Sequence, residues 1–131
     1  MKKTTLLNQP LSAIIAGMGH KDTLTIGDCG LPVPQGTSRI DLAVVKGVPD
    51  FLTVLDSVLS ELCVEKVTIA SETRESSPEL YAQIRKRFSG IGIEEIPHEQ
   101  FREMTGKSRA VVRTGESRSY ANIILQSGVT F

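Results

Sequence analysis

Two polar side chains that could do acid–base chemistry lie on either side of one short apolar segment. His20 precedes residues 23–26, Thr-Leu-Thr-Ile, and Asp28 follows them. The apolar segment predicts a strand, so an extended backbone should place the two side chains near its opposite ends. Gly27 and Gly30 flank Asp28 and permit a sharp turn there. We therefore expect a stiff loop that presents one carboxylate, with one imidazole close by along the chain.

Other polar residues could join this pair, and each has a structural alternative. His20 could cap the last carbonyls of a preceding helix, and Asp28 could bond its own backbone in a turn. His98 lies in the first turn of a predicted helix, where a solvated histidine is common. Tyr120 and Asn122 connect a polar loop to a buried strand, and strand alternation would send both to the same side. The spacing alone leaves these readings open.

Three specific chemistries can be compared with these residues. Residues 27–30 place a carboxylate at the centre of a glycine loop, which repels phosphate, and no nucleotide-binding glycine motif is present. A metal site would draw on His20, Asp28, Cys29 and His98, but no HxxxH or CxxC spacing supports one. A nucleophilic Cys29 is disfavoured because the adjacent carboxylate opposes its thiolate. What remains is a neutral, hydroxyl-rich ligand held by carboxylate, amide and phenol, with imidazole available for proton transfer.

Length and composition predict one ordinary globular domain of 131 residues. Lys plus Arg and Asp plus Glu both number 15, and this balance argues against nucleic acid as the main partner. Aromatic residues make up 5% with no Trp, so a surface for stacking bases is not expected. Cys29 and Cys63 have no paired spacing and suggest reduced thiols in a cytoplasmic protein. The sequence has neither a signal-peptide pattern nor an apolar stretch long enough for a membrane span.

Apolar runs and helical spacing alternate along the chain. Strands are predicted at residues 23–26, 39–45, 64–70, 91–96, 110–113 and 122–126, and helices at 9–18, 51–62, 78–88 and 97–104. This alternation predicts an α/β fold of three layers, with a mostly parallel sheet and helices on both faces. Ligands bind such sheets beyond the C-terminal ends of the strands, so the loops at 27–34 and 114–121 should meet there. Arg113 and Glu116 could form an ion pair beside them or stay solvated.

Motifs spread over nearly the whole chain resemble the D-ribose pyranase and fucose mutarotase family. They are Gly19-His20-x-Asp22, Asp28-x-Gly30-Leu31-Pro32-x-Pro34, Arg39-Ile40-Asp41, Gly47-Val48-Pro49, His98-Glu99-x-Phe101, Arg113-Thr114-Gly115-Glu116, Tyr120-Ala121-Asn122 and Ile124-Leu125-x-x-Gly128-Val129-x-Phe131. All of them fall in one register.

The resemblance implies an isomerase that interconverts β-D-ribopyranose and β-D-ribofuranose without a cofactor and supplies the furanose to ribokinase. It also implies a cytoplasmic homo-oligomer, often a decamer of two pentamers, with clefts where subunits meet. By match, His20 would be the proton donor, and the sugar contacts would be Asp28, His98, Tyr120, Ala121 and Asn122. A fucose-type mutarotase and a non-catalytic sugar-binding accessory protein of ribose uptake are the alternatives. Ring opening of a hemiacetal requires one proton removed and one delivered, which imidazole can do near neutral pH.

Overall fold

Six strands form one sheet in this computed structural model, which describes residues 1–131. The strands are β1 (Thr23–Gly27), β2 (Arg39–Asp41), β3 (Val64–Ala70), β4 (Gly92–Ile96), β5 (Val111–Arg113) and β6 (Ile123–Ser127). Their order across the sheet is β2-β5-β1-β6-β3-β4. Five strands run in one direction, and β6 alone runs against its neighbours β1 and β3. The predicted mostly parallel sheet is confirmed.

Helices cover both faces of this sheet. They are α1 (Gln9–Gly17), α2 (Phe51–Leu59), α3 (Glu72–Ser76), α4 (Pro78–Arg87) and α5 (His98–Thr105). Leu11 of α1, Leu55 of α2 and Ile84 of α4 belong to the larger apolar core on one face. A smaller core forms where Phe101 of α5 packs with Ile124 of β6 and neighbouring apolar residues. Successive strand residues point to opposite faces, so β6 serves both cores and the three predicted layers are present.

Two parts of the fold differ from the sequence prediction. Strand β2 ends at Asp41 instead of continuing to residue 45, because the Asp41 carboxylate accepts the Ala43 N–H at 3.1 Å and the chain turns away. Val44 and Val45 then enter a short bridge with Val48 and remain mostly exposed. The sequence pattern does not predict helix α3.

No helix of the chain is both long enough and apolar enough to cross a lipid bilayer.

The two ends of the strands form opposite edges of the sheet, and different loops lie at each. At the C-terminal edge, Gly27 lies opposite Arg113 in the register of β1 and β5, so the loops after these strands leave side by side. Helix α5 starts at the same edge, directly after β4. The opposite edge carries the turn before β1, the start of β3 and the end of β6.

Candidate functional site

A cleft of about 320 Å³ opens at the C-terminal edge of the sheet. Its walls come from the loop after β1, the loop after β5 and the first residue of α5. The lining residues are Asp28, Cys29, Gly30, Leu31, Pro32, His98, Glu116, Ser117, Arg118, Ser119 and Tyr120. The prediction that the loops at 27–34 and 114–121 meet at this edge is therefore confirmed.

Asp28 sits in the turn that forms one wall of the cleft. Its Oδ1 accepts the Gly30 N–H at 2.9 Å, so the carboxylate does serve its own turn. Its backbone N–H donates to Oδ1 of Asn122 at 2.8 Å, which ties the turn to the start of β6. Gly27 is required for this approach: a Cβ there would lie 2.5 Å from the Leu31 side chain and 3.0 Å from Asn122 Oδ1. The second carboxylate oxygen of Asp28 has no protein hydrogen bond and can serve a ligand.

Tyr120, Ala121 and Asn122 occupy three different environments. Tyr120 is half-buried and lines the cleft, whereas Ala121 is fully buried. Asn122 is also buried, and its Nδ2 has no hydrogen-bond partner. Strand alternation does not apply to Tyr120 and Asn122, because β6 begins only at residue 123 and Tyr120 has a φ of 60°. A tyrosine in the left-handed region is uncommon and needs support from its surroundings.

His98 and Tyr120 contact each other in the cleft wall. Their rings meet edge to face with centroids 5.0 Å apart, and the His98 ring lies nearly parallel to that of Phe101 at 6.2 Å. Nδ1 of His98 is buried without a hydrogen-bond partner. The alternative of a fully solvated histidine is wrong. Unpaired buried nitrogens on His98 and Asn122 are costly unless another group pairs with them, and such sites often serve ligands.

The short helix α3 holds both aromatic residues of the cleft. The N-cap residue of α5, Pro97, makes no side-chain hydrogen bond to the helix. The Glu72 carboxylate takes over this role and accepts the backbone N–H of His98 at 3.0 and 3.2 Å. Burial alone would raise the pKa of Glu72, but hydrogen bonds from its own N–H and from that of His98 hold the pKa below its usual range. Thr73 Oγ1 donates to the Tyr120 carbonyl at 2.9 Å, which supports the unusual backbone there.

A buried carboxylate organises the loop after β5. The two oxygens of Glu116 accept the backbone N–H groups of Phe51, Ser117 and Arg118 and two guanidinium N–H groups of Arg118, at 2.9 to 3.2 Å. The hydrogen bond from the Arg118 side chain is the main cause that lowers the pKa of Glu116 to about 2. The loop is thereby fixed to the first residue of α2.

Of the two alternatives for Arg113 and Glu116, the ion pair between them is not formed. Arg113 instead contacts the Asp41 carboxylate at 3.0 Å and donates to the Cys29 carbonyl at 3.1 Å. Arg118 is the partner of Glu116, with its guanidinium 2.9 Å from the carboxylate. It is the one cation among the residues that line the cleft, and this carboxylate neutralises it. The cleft therefore has no uncommitted positive charge for a phosphate group, and it suits an uncharged polar ligand.

His20 lies outside this cleft. It precedes β1, whereas Asp28 follows it, and a five-residue strand spans roughly 13 Å. The imidazole is close to half exposed, and its Nε2 is 2.9 Å from Oε2 of Glu65. The fold of a single chain brings four of the six predicted site residues together, namely Asp28, His98, Tyr120 and Asn122. Ala121 is buried between the last two. It does not bring His20 to them.

Comparison with known proteins decides the family. The model of the RbsD / FucU transport protein family matches residues 1–130. The chain belongs to this family. The resemblance found in the sequence motifs is thus confirmed over the whole chain.

Curated relatives within the family match at high identity. The D-ribose pyranase of Geobacillus kaustophilus is 51% identical over 131 residues, which is all of this chain and 96% of the relative. The D-ribose pyranase of Coprothermobacter proteolyticus is 54% identical over the full length of both chains. Both alignments include every residue of the cleft.

Solved structures of the family share the fold. Bacillus subtilis RbsD, in a complex with D-ribose, superposes with a TM-score of 0.97 at 44% identity and full coverage of both chains. The fucose mutarotase of Streptococcus pneumoniae, in a complex with L-fucose, gives a TM-score of 0.79 at 26% identity, covering 95% of this chain and 94% of that one. The α/β fold of the chain is that of the family.

Proposed function

We propose that the chain is an isomerase, a D-ribose pyranase, that interconverts the pyranose and furanose forms of β-D-ribose. The observation that carries this proposal is identity of 51% to 54% over the whole chain with relatives of that name. The cleft agrees with it in size and polarity, since about 320 Å³ suits a small sugar. Its neutralised arginine favours the free sugar over a sugar phosphate. The furanose would then be the form passed to ribokinase.

The reaction moves protons and breaks and forms one C–O bond. A base removes the proton of the anomeric hydroxyl, the bond from C1 to the ring oxygen O5 breaks, and O5 receives a proton. The open aldehyde rotates, and the hydroxyl at C4 gives up its proton and attacks C1, whose carbonyl oxygen takes a proton as the furanose ring closes. Acid–base help of this kind contributes about 10²–10⁴-fold, and no redox or metal cofactor is needed for it. We assign proton donation to His20 and contacts with the sugar hydroxyls to the cleft.

Within the cleft, the groups offered to the sugar are complementary to hydroxyls. Asp28 supplies a carboxylate acceptor and Tyr120 a phenol from the lining of the cleft. Asn122 is buried next to Asp28 and has an amide whose Nδ2 is otherwise unpaired. His98 supplies an imidazole whose Nδ1 is likewise unpaired. Ala121 is buried, so any contact it makes with the sugar would be through its backbone. A hydroxyl-rich ligand can both donate and accept, which such a mixed set requires.

His20 can reach a cleft only from a second copy of the chain. The edge that carries His20 also exposes Val129 and Phe131, and exposed Val44 and Val45 lie on the hairpin beside the cleft. Two different apolar patches at opposite edges of the sheet favour a head-to-tail contact, which closes into a ring when the rotation permits. We therefore propose a cytoplasmic homo-oligomer with sites between neighbouring copies, and a decamer of two pentamers as its form.

A fucose-type mutarotase is the second candidate, because a fucose mutarotase in complex with L-fucose has the same fold at 26% identity. The higher identity of the ribose relatives favours ribose. A panel of ribose and fucose in one exchange assay separates the two activities.

The test is exchange of magnetisation between the pyranose and furanose signals of D-ribose, measured by NMR with catalytic amounts of protein. We expect acceleration by the native protein and none by His20→Ala, with both forms at the same native mass. A decamer of 14.2 kDa chains would have a mass of about 142 kDa. Ribose binding without any acceleration would instead identify a sugar-binding accessory protein, and wild-type exchange in His20→Ala would remove His20 from the mechanism.

A further inference from the structure

A carboxylate lies directly behind the imidazole of His20. Glu65, at the start of β3, places Oε2 2.9 Å from His20 Nε2, and its Oε1 accepts Nε2–H of Gln126 at 2.7 Å. Hydrogen bonds from Gln126 and His20 hold the pKa of Glu65 below its usual range. An ionised carboxylate can only accept hydrogen bonds, so its position requires the proton on Nε2 of the neutral ring. Nδ1 of His20 is then the nitrogen left free.

The backbone that presents His20 is fixed by the end of β6. Lys21 N–H donates to the Ser127 carbonyl at 2.9 Å, and Ser127 N–H donates to the Asp22 carbonyl at 2.8 Å. The Asp22 carboxylate also accepts the Gly19 N–H at 2.9 Å. Lys21 has a φ of 70°, an uncommon conformation that this double contact supports. The turn is therefore preorganised, and it lies at the opposite edge of the sheet from the cleft of its own chain.

We propose that Glu65 is a positioning residue for the reaction, which fixes the tautomer and ring orientation of His20 through the chain Gln126–Glu65–His20. The proposal rests on the proposed function, in which His20 serves the cleft of a neighbouring copy. Apart from Glu65, the side chain of His20 has no hydrogen-bond partner within its own chain. A carboxylate that orients a histidine from behind is a recurring arrangement in proton-transfer sites.

Glu65 acts on the proton steps without receiving a proton. When Nδ1 of His20 takes the proton of the anomeric hydroxyl, the ring becomes an imidazolium with protons on both nitrogens. The carboxylate of Glu65 offsets that charge at 2.9 Å from Nε2. The imidazolium then gives the Nδ1 proton to O5, and the neutral ring returns to its starting tautomer. Glu65 does not touch the sugar, so its loss should lower kcat and leave KM unchanged.

The kinetic test compares Glu65→Ala, Glu65→Gln and a control in the ribose exchange assay. We expect Glu65→Ala to lower kcat about tenfold or more and to leave KM unchanged. The loss should not exceed the 10²–10⁴-fold that acid–base help supplies in total. Glu65→Gln should recover part of this loss, because its amide oxygen still accepts Nε2–H but carries no charge. Glu94→Gln is the matched control: Glu94 is an exposed carboxylate on β4 that pairs with Lys66 at 2.7 Å, and its loss should leave kcat at the wild-type value.

A spectroscopic readout tests the same proposal without relying on activity. The chain has only two histidines, so ¹⁵N-labelled imidazole signals can be assigned with His20→Ala. We expect the Nε2–H tautomer of His20 in the native protein and a mixture of tautomers in Glu65→Ala. An unchanged tautomer with unchanged kcat would overturn the proposal. The proposal would also be overturned if Glu65→Ala lost kcat together with the native mass of the assembly and Glu65→Gln did not restore kcat. If the native protein does not accelerate exchange, the proposed function fails, while the tautomer still decides the role of Glu65.

Discussion

Replacing Glu116 with Gln should destabilise the loop that forms one wall of the cleft. The Glu116 carboxylate accepts five hydrogen bonds, all from N–H donors of Phe51, Ser117 and Arg118. An amide turns one of its two acceptor oxygens into a donor that would face other donors. It also removes the charge opposite the Arg118 guanidinium, which leaves that cation without its partner.

The magnitude follows from the pKa of the carboxyl group. The difference between about 2 in the folded protein and the ordinary 4.5 corresponds to about 3 kcal/mol of stability at pH 7. Because the Arg118 side chain is 43% exposed, solvent screens the pair and we expect about 2 kcal/mol. The folded pKa is lowered, so this stability is present above pH 4.5 and is lost as the pH falls toward 2. At pH 3 about 1 kcal/mol or less should remain.

The assay is urea unfolding of the native protein and Glu116→Gln at pH 7 and pH 3, at one protein concentration. The stability difference between the two proteins should narrow at the lower pH. Glu103→Gln is the matched control, since Glu103 is exposed and makes no hydrogen bond through its side chain. An equal difference at both pH values, or no loss at pH 7, would refute the reasoning that the ionised carboxylate holds this loop.

Three further substitutions test the cleft and its support. Asp28→Asn should weaken ribose binding about 10- to 100-fold by titration calorimetry, because a hydrogen bond to a charged group contributes roughly 1.5–3 kcal/mol; unchanged affinity would remove Asp28 from the sugar site. Phe101→Ala should lower the free energy of unfolding by about 3–5 kcal/mol, since Phe101 is the fully buried residue through which α5 packs on the sheet. A loss under about 1 kcal/mol would contradict the packing described. Thr73→Ala should raise KM several-fold and cost about 1 kcal/mol of stability by removing the bond to the Tyr120 carbonyl, and an unaltered KM would mean that α3 does not position Tyr120.

The sequence predicts the sheet and the place of the cleft because both depend on local patterns. Apolar runs of strand length alternate with helical spacing, and that alternation by itself favours parallel strands. The rule that ligands bind beyond the C-terminal strand ends then brings the loops at 27–34 and 114–121 together, as the lining of the cleft confirms. Asp28 can also be identified as a candidate from the local sequence, because glycines flank it.

Elements that depend on distant contacts could not be predicted. Helix α3 is five residues long and has no periodicity to detect, yet Glu72 and Thr73 support residues 26 and 47 positions away. The alternation of Ile40, Leu42 and Val44 continues a strand pattern, but only the first of these is buried in the sheet. An apolar pattern cannot distinguish a buried strand from a hairpin whose exposed valines suit a second chain.

Closeness along the chain also misleads in the case of His20. Eight positions separate it from Asp28, yet β1 places the two at opposite edges of the sheet. The partner that fixes its imidazole is Glu65, which is 45 positions away and has no motif around it. The role that we propose for His20, in the cleft of another copy, cannot be read from contacts within one chain.

Mixing two impaired variants, at a ribose concentration too low for clefts with Asp28→Asn to bind it, tests most directly whether the site is shared between copies. In the homo-oligomer that we propose, co-expression of His20→Ala with Asp28→Asn gives assemblies in which some clefts with Asp28 face a neighbour with His20. With random assembly, about one site in four has both residues intact, so we predict roughly a quarter of the native exchange between ribose pyranose and furanose. If His20 and Asp28 acted within one chain, no site in the mixture would have both residues. Exchange no faster than that of either variant alone would therefore contradict the account.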